Sequence, residues 1–204
     1  MTNLLHDTPN RGPAEHAVRD QIIKTAADYF GHYGYTKTTV ADLARELGFS
    51  KTYVYRFFES KQAIGEEICA AHLTVLLDNA REELRKGTSA SDQLRRFFGS
   101  VSAHTARLLH EDKRIYEIAV IACIEDWAPA ISYLDTLRAI ITDIVQYGRD
   151  RGEFEKKTPI DEISRSILFA MTPFIDPVYL DRNLKHLPSA QTEMVGLVLR
   201  SLAV

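Results

Sequence analysis

The sequence predicts an all-α fold. Apolar residues recur at helical spacing, i, i+3, i+4 and i+7, in one segment after another. No stretch shows the strict alternation of a half-buried strand, and no internal repeat is present. Gly87, Pro129, Pro173, Pro177 and Pro188 punctuate the periodic segments.

Length and composition bound the rest. At 204 residues the chain makes one domain or two small ones, and a hydrophobic content of 45% is ordinary for a globular protein. No run approaches the roughly 18 apolar residues that span a bilayer. The N-terminal MTNLLHDTPNRGP lacks the basic and apolar regions of a secretory signal. Cys69 and Cys123 have no partner motif and read as two reduced core thiols, which suits a cytoplasmic protein with no membrane partner. Net charge is −3 and unevenly spread. Residues 1–61 hold 8 Lys+Arg against 7 Asp+Glu, and residues 62–204 hold 17 against 21.

Taken in order, residues 1–13 mix Pro, Gly, Asn and Asp and read as a disordered arm. Glu15 to His32 is predicted helical, with Val18, Ile22, Ala26 and Tyr29 or Phe30 as its buried stripe. Gly31 and Gly34 are expected to end it. Two short helices follow within TTVADLARELGFSKTYVYRFFESK, residues 38–61. The first, Val40 to Leu47, places Val40, Leu43, Ala44 and Leu47 on one face, and Thr38 or Thr39 caps its start. Gly48 stops it. Ser50 caps the second, Lys51 to Phe57 or Phe58, and Ser60 caps a third that opens with Lys61. A helix, a Gly-containing turn and a second helix make a helix-turn-helix, whose second helix enters the DNA major groove N-terminus first. Lys51, Thr52, Tyr53, Tyr55 and Arg56 on that helix can all donate to phosphates or base edges.

This stretch resembles the DNA-binding segment of TetR/AcrR-type transcriptional regulators. The helix start at Thr38–Thr39, Gly48-Phe49-Ser50, Tyr53-x-Tyr55 with Phe57 and Phe58, and Lys61 opening the next helix all keep that family's spacing, and the likeness spans roughly Arg19 to Glu67. It implies a helix-turn-helix DNA-binding domain over 14–60 and a helical ligand-binding and dimerisation domain over 61–204. By position in the motif, Thr39 contacts phosphate, and Lys51, Thr52 and Tyr53 lie nearest the groove floor. Tyr55 and Arg56 hold phosphates, with a guanine within reach of Arg56. Lys61 contacts phosphate as in the family. Packing inside the small domain is the other reading of Tyr53 and Tyr55. Arg11 either touches DNA or belongs to an untethered tail.

Lys61 to about Lys86 reads as one long helix. Ile64, Ile68, Ala71 and Val75 form one stripe; Cys69, Leu73, Leu76, Leu77, Ala80 and Leu84 form another. A helix apolar on two sides packs against two bodies, and the resemblance makes it the lever between ligand and DNA. Beyond the loop GTSAS, Ser91 or Asp92 caps a helix to about Leu109 with Phe97, Val101, His104 and Leu108 on one face. Arg114 to about Ile124 buries Ile115, Ile118, Ala119 and Ala122. Pro129 opens a helix to about Arg149 with Leu134, Leu137, Ile141, Ile144 and Val145 inward. RDRGEFEKKTP reads as a polar break. Helices over Ile160 to about Thr172 and Ser189 to Leu202 complete the chain, with PFIDPVYLDRNLKHLP between them expected to be mostly loop. The resemblance pairs these two helices with their copies in a second chain, as a homodimer. Ile163, Ile167, Met171, Met194, Val195, Val198 and Leu202 are the expected interface.

No constellation for catalysis stands out. The seven His form no HExxH or Cys/His cluster, there is no Gly-rich phosphate loop, and no metal or other cofactor is implied. Glu125-Asp126 beside Trp127 reads as a polar helix terminus. For a small-molecule effector, which the resemblance implies, the candidate contacts are His72, His104, Tyr116, Trp127, Tyr133 and Phe174, each with ordinary core packing as its other reading. The function expected is a ligand-responsive regulator, a repressor released from a palindromic double-stranded DNA operator. The alternative is a helical ligand-binding or protein-interaction module that no longer reads DNA.

Overall fold

The structure, a computed structural model, describes residues 13–204, with side chains from residue 15 onward. The expected arm and its Arg11 lie outside the described residues, apart from Pro13, which opens the first helix. Among the described residues, ten α-helices and one 3₁₀ turn make up the fold, and there is no strand.

Helix α1, Pro13–Tyr33, runs through Gly31 and stops at Gly34, whose φ of 88° lies in the left-handed region. Ile22, Ala26 and Phe30 are its buried stripe; Tyr29 is only half-buried. Helix α2 is Val40–Glu46. Thr39 is its cap, in a closed capping box. The Asp42 amide donates to Thr39 Oγ1 at 3.2 Å, and the Thr39 amide donates to Asp42 Oδ2 at 3.0 Å. Thr38 is buried and donates to the Gly34 carbonyl at 2.8 Å. Gly48, at φ 69°, turns the chain into α3, Lys51–Tyr55, capped by Ser50. Helix α3 is shorter than expected, and Phe57 and Phe58 follow it as buried anchors.

Helix α4, Lys61–Arg85, serves two cores from its two ends. Ile64, Ile68 and Cys69 complete the core of α1–α3, while Leu76 and Ala80 enter the core of the C-terminal body. The first expected stripe does not run the whole length: Ala71 and Val75 are exposed. Helix α5, Ala90–Glu111, starts earlier than expected, on Ser89. Helix α6, Lys113–Ile124, is capped by Asp112. Helix α7, Ala128–Asp150, buries Leu137, Ile141, Ile144 and Val145, but Leu134 is exposed.

The polar break after α7 is anchored. Phe154 is buried directly over Gly148, where a Cβ would come within 2.3 Å of its ring. Arg149 is buried and donates to the carbonyls of Glu155, at 2.8 Å, and Thr158, at 2.6 Å. Helix α8, Ile160–Ile175, continues through Pro173, and α9, Pro177–Asn183, is capped by Asp176. A 3₁₀ turn, Leu184–His186, then leads to α10, Ser189–Leu202. The segment expected to be mostly loop is therefore mostly helical.

The expected interface residues face the chain's own core. Ile163, Ile167, Met171, Val195, Val198 and Leu202 are buried in the single chain, and Met194 packs against the same cluster. The exposed apolar side chains of α8 and α10 are instead Phe169 and Leu197. Each helix carries one large apolar residue on an otherwise polar outer face, so the broad apolar stripe read from periodicity is the one that turns inward.

Candidate nucleic-acid interface and effector cavity

Three helix starts meet along one open groove. It is lined by Thr38, Thr39, Val40 and Ala41 at the start of α2, Lys51 and Tyr55 of α3, and Glu59, Ser60 and Lys61 at the start of α4, so one carboxylate faces two lysines. Helix starts point unpaired N–H groups and the positive end of the helix dipole outward, which suits phosphate. Four of the expected DNA-binding residues, Thr39, Lys51, Tyr55 and Lys61, are thus brought together. Thr52 is exposed beside Lys51. The Lys51 ammonium lies 5.7 Å from the centre of the exposed Tyr55 ring.

Tyr53 and Arg56 are placed differently. Tyr53 is half-buried between Phe49 and Phe57, with ring centres 5.0 and 5.4 Å away in edge-to-face contact. Packing therefore claims much of its ring. The Arg56 guanidinium sits 5.5 Å from the Tyr53 ring and 3.7 Å from a Glu15 carboxylate oxygen. It borders a separate depression shared with Arg19 and Glu67, which are ion-paired with each other.

Lys61 is held in place. Its Nζ donates to the Tyr35 carbonyl at 3.0 Å and lies 4.2 Å from the Tyr35 ring centre. Burial lowers its pKa from the ordinary lysine value, opposed by Glu125 and Glu117. Tyr35 in turn packs edge-to-face on Trp127 at 5.4 Å, and its phenol is pushed up to about 12, first by burial. Trp127 closes against Gly65 of α4 and donates from Nε1 to Glu125 at 2.9 Å. Glu117 of α6 accepts a hydrogen bond from Thr36 at 2.9 Å. No local pattern signals this cluster at Tyr35, Gly65 and Glu117, because its members are distant in the chain.

A second site lies in the body. A cavity of about 60 Å³ is enclosed by α4, α5, α6 and α7 and by Ile175 and Pro177. His72, His104 and Tyr133 line it, as do both thiols, Cys69 and Cys123. Both cysteines are free, and burial pushes them up to about 11 and about 12. Burial lowers the pKa of both His72 and His104. The other three expected contacts lie elsewhere. Tyr116 donates to the Pro177 carbonyl at 2.6 Å within a small cluster with Leu109 and Leu180. Trp127 belongs to the N-terminal core, and Phe174 to the core of the body.

Comparison with known proteins follows the same division. Residues 22–68 match the profile of bacterial regulatory proteins of the tetR family. Residues 90–195 match that of the tetracyclin repressor-like C-terminal domain. The HTH-type transcriptional repressor KstR2 of Mycolicibacterium smegmatis is 28% identical over 172 residues, covering 79% of this chain and 78% of the relative. Among solved structures, the TetR family transcriptional regulator PfmR from Thermus thermophilus aligns with a TM-score of 0.55 and 26% identity, covering 91% of this chain and 100% of that one. The fatty acid degradation regulator FadR from Bacillus halodurans aligns with a TM-score of 0.61 and 17% identity, covering 93% and 94%.

Proposed function

The chain belongs to the tetR family of bacterial regulatory proteins, and on that premise we propose that it is a dimeric repressor which a small molecule releases from its operator. The observation that carries the DNA side is the groove where the starts of α2, α3 and α4 converge with Lys51 and Lys61. We assign phosphate contacts to Thr39, Tyr55 and Lys61, and base contacts to Lys51 and Thr52 at the start of α3. Tyr53 supports the helix from behind.

The same helix carries the switch. Lys61 opens α4, and Ile68 to Leu76 of α4 form one wall of the cavity. Seven residues separate Lys61 from Ile68, about 10 Å of helix. The cavity is far smaller than the roughly 300–1,000 Å³ of a typical ligand site. A ligand of ordinary size therefore selects a conformer in which α4 has moved from α6 or α7. That conformer carries Lys61 with it and changes the spacing of the two recognition helices in a dimer. Coupling of this kind is typically about 1–3 kcal/mol. The outer faces of α8 and α10, with Phe169 and Leu197, supply the surface for the second copy. The relative KstR2 is likewise a transcriptional repressor.

The test is selection of bound duplexes from a random pool, followed by titration of the enriched site. Lys61→Ala weakens binding to all sequences and lowers the salt slope by about 1, whereas Lys51→Ala costs about 1–3 kcal/mol and relaxes preference at one position of each half-site. No enrichment of a two-fold symmetric site, or unchanged affinity in both variants, overturns this reading.

A further inference from the structure

Resting on the reading of the cavity as an effector site, we propose that Tyr133 anchors an uncharged, largely apolar ligand by donating its hydroxyl to a neutral acceptor oxygen, such as a ketone or ester carbonyl. Tyr133 lines the cavity from α7. Its Oη is shielded from solvent and has no hydrogen-bond partner among the described residues. A buried hydroxyl without a partner carries a desolvation penalty, which a ligand acceptor removes.

The other polar groups on the wall are used, weak or, for His72, on a residue exposed to solvent. Thr105 Oγ1 donates to the Val101 carbonyl at 3.0 Å. His104 Nδ1 is 3.4 Å from the Arg107 guanidinium, which borders the open groove outside the cavity. The thiols of Cys69 and Cys123 stay protonated and are poor donors. The remaining wall is mostly aliphatic, with Ile68, Leu73, Leu76, Leu108 and Ile118 prominent. That body of the site selects hydrocarbon, and the Tyr133 hydroxyl, buried at its wall without a partner, selects an acceptor.

Charge decides which acceptor. Among the described residues, no Lys or Arg lines the cavity. Burial, with Cys123 and Asp176 nearby, raises the Tyr133 phenol far above its ordinary range, so it remains a donor. A carboxylate placed there would be buried without a counter-charge and close to Asp176, which is unfavourable. A neutral carbonyl accepts the same hydrogen bond without that penalty.

Three compounds of one shape separate these terms: acetophenone, ethylbenzene and benzoate, titrated into the full chain by calorimetry. The wild-type protein should favour acetophenone over ethylbenzene by about three- to tenfold, the range of one net hydrogen bond, with benzoate weakest. Tyr133→Phe should abolish the preference and leave ethylbenzene binding unchanged. Without ligand, the Tyr133→Phe protein should melt no lower than wild type, since the hydroxyl has no partner to lose. Ethylbenzene binding with no preference for the ketone overturns the anchor while the cavity reading stands. Benzoate binding tightest overturns the neutral class. A melting point several degrees lower in Tyr133→Phe overturns the proposal, because the hydroxyl would already be satisfied within the protein. Binding of none of the three overturns the cavity as an apolar ligand site and the anchor with it.

Discussion

Gly65 is where residue chemistry bears most directly on regulation. A Cβ there would meet the Trp127 ring at 2.8 Å and the Tyr35 ring at 3.0 Å. Gly65→Ala gains helix propensity of up to about 1 kcal/mol but overpacks two buried rings, a cost of about 1–3 kcal/mol. Net destabilisation is expected, read by chemical denaturation, and a more stable variant would sink the argument. His72 and His104 give a pH signature. Burial holds His104 below the ordinary value of 6.5, helped by Arg107 and His72; His72 is lowered by the same cause but is an exposed residue, and Asp112 opposes the shift, so His104 carries the larger part of the signature. A lowered histidine pKa means that the unfolded chain binds protons first as pH falls through about 6.5, so stability is full above that pH and declines below it. Melting temperature should fall between about pH 7.5 and 5.5, and the His72→Gln, His104→Gln double variant should fall less. An equal fall in both proteins contradicts the assignment. At this scale caps are partly legible: Ser50 and Ser60 follow from local hydrogen-bonding chemistry, Thr39 is one of two readings the sequence allows, and α5 is capped by Ser89 rather than by Ser91 or Asp92. Trp127 is not. Asp126, at φ 52°, turns the chain after α6 and delivers Trp127 to the N-terminal core, and no local pattern encodes that direction.

Among the elements, helices with one dominant face are plain in the sequence, and the long α4 is legible nearly to its ends. The differences fall where tertiary contacts override local tendency. Pro173 sits inside α8, and the following stretch forms α9 and a 3₁₀ turn despite its prolines. Proline at the first position of a helix costs nothing, and Pro177 occupies that place in α9. The break after α7 reads as solvated because seven of its eleven residues, RDRGEFEKKTP, are charged. One aromatic reverses that reading: Phe154 is 2% exposed and pins the break to Gly148. Phe154→Ala should cost about 3–5 kcal/mol, measured by urea denaturation. A loss below about 1 kcal/mol would show that the break is not anchored.

Among the described residues, two large and unequal hydrophobic cores are joined by α4, with a small third cluster around Leu109, Tyr116 and Leu180. The fold class is readable because amphipathic periodicity survives in the long helices. Which face meets a partner is not, since α8 and α10 each bury their apolar stripe in the chain's own core and carry one large apolar residue, Phe169 or Leu197, on an otherwise polar outer face. Phe169 is 68% exposed and Leu197 54% exposed. Phe169→Glu, Leu197→Glu should convert a dimer to monomer in sedimentation at micromolar concentration without lowering helix content. An unchanged dimer places the interface elsewhere.

The core of α1–α3 also takes in Ile115, Ile118 and Ala122 of α6, along with Trp127 and Ala130. For anyone building hybrid sensors, this means the reading head is not an interchangeable cartridge. Grafting another protein's DNA-binding head onto this body would set foreign side chains against α6 and Trp127. Chimeras of this chain should therefore succeed only when the α6 surface and the Trp127 corner are exchanged together with the head they fit.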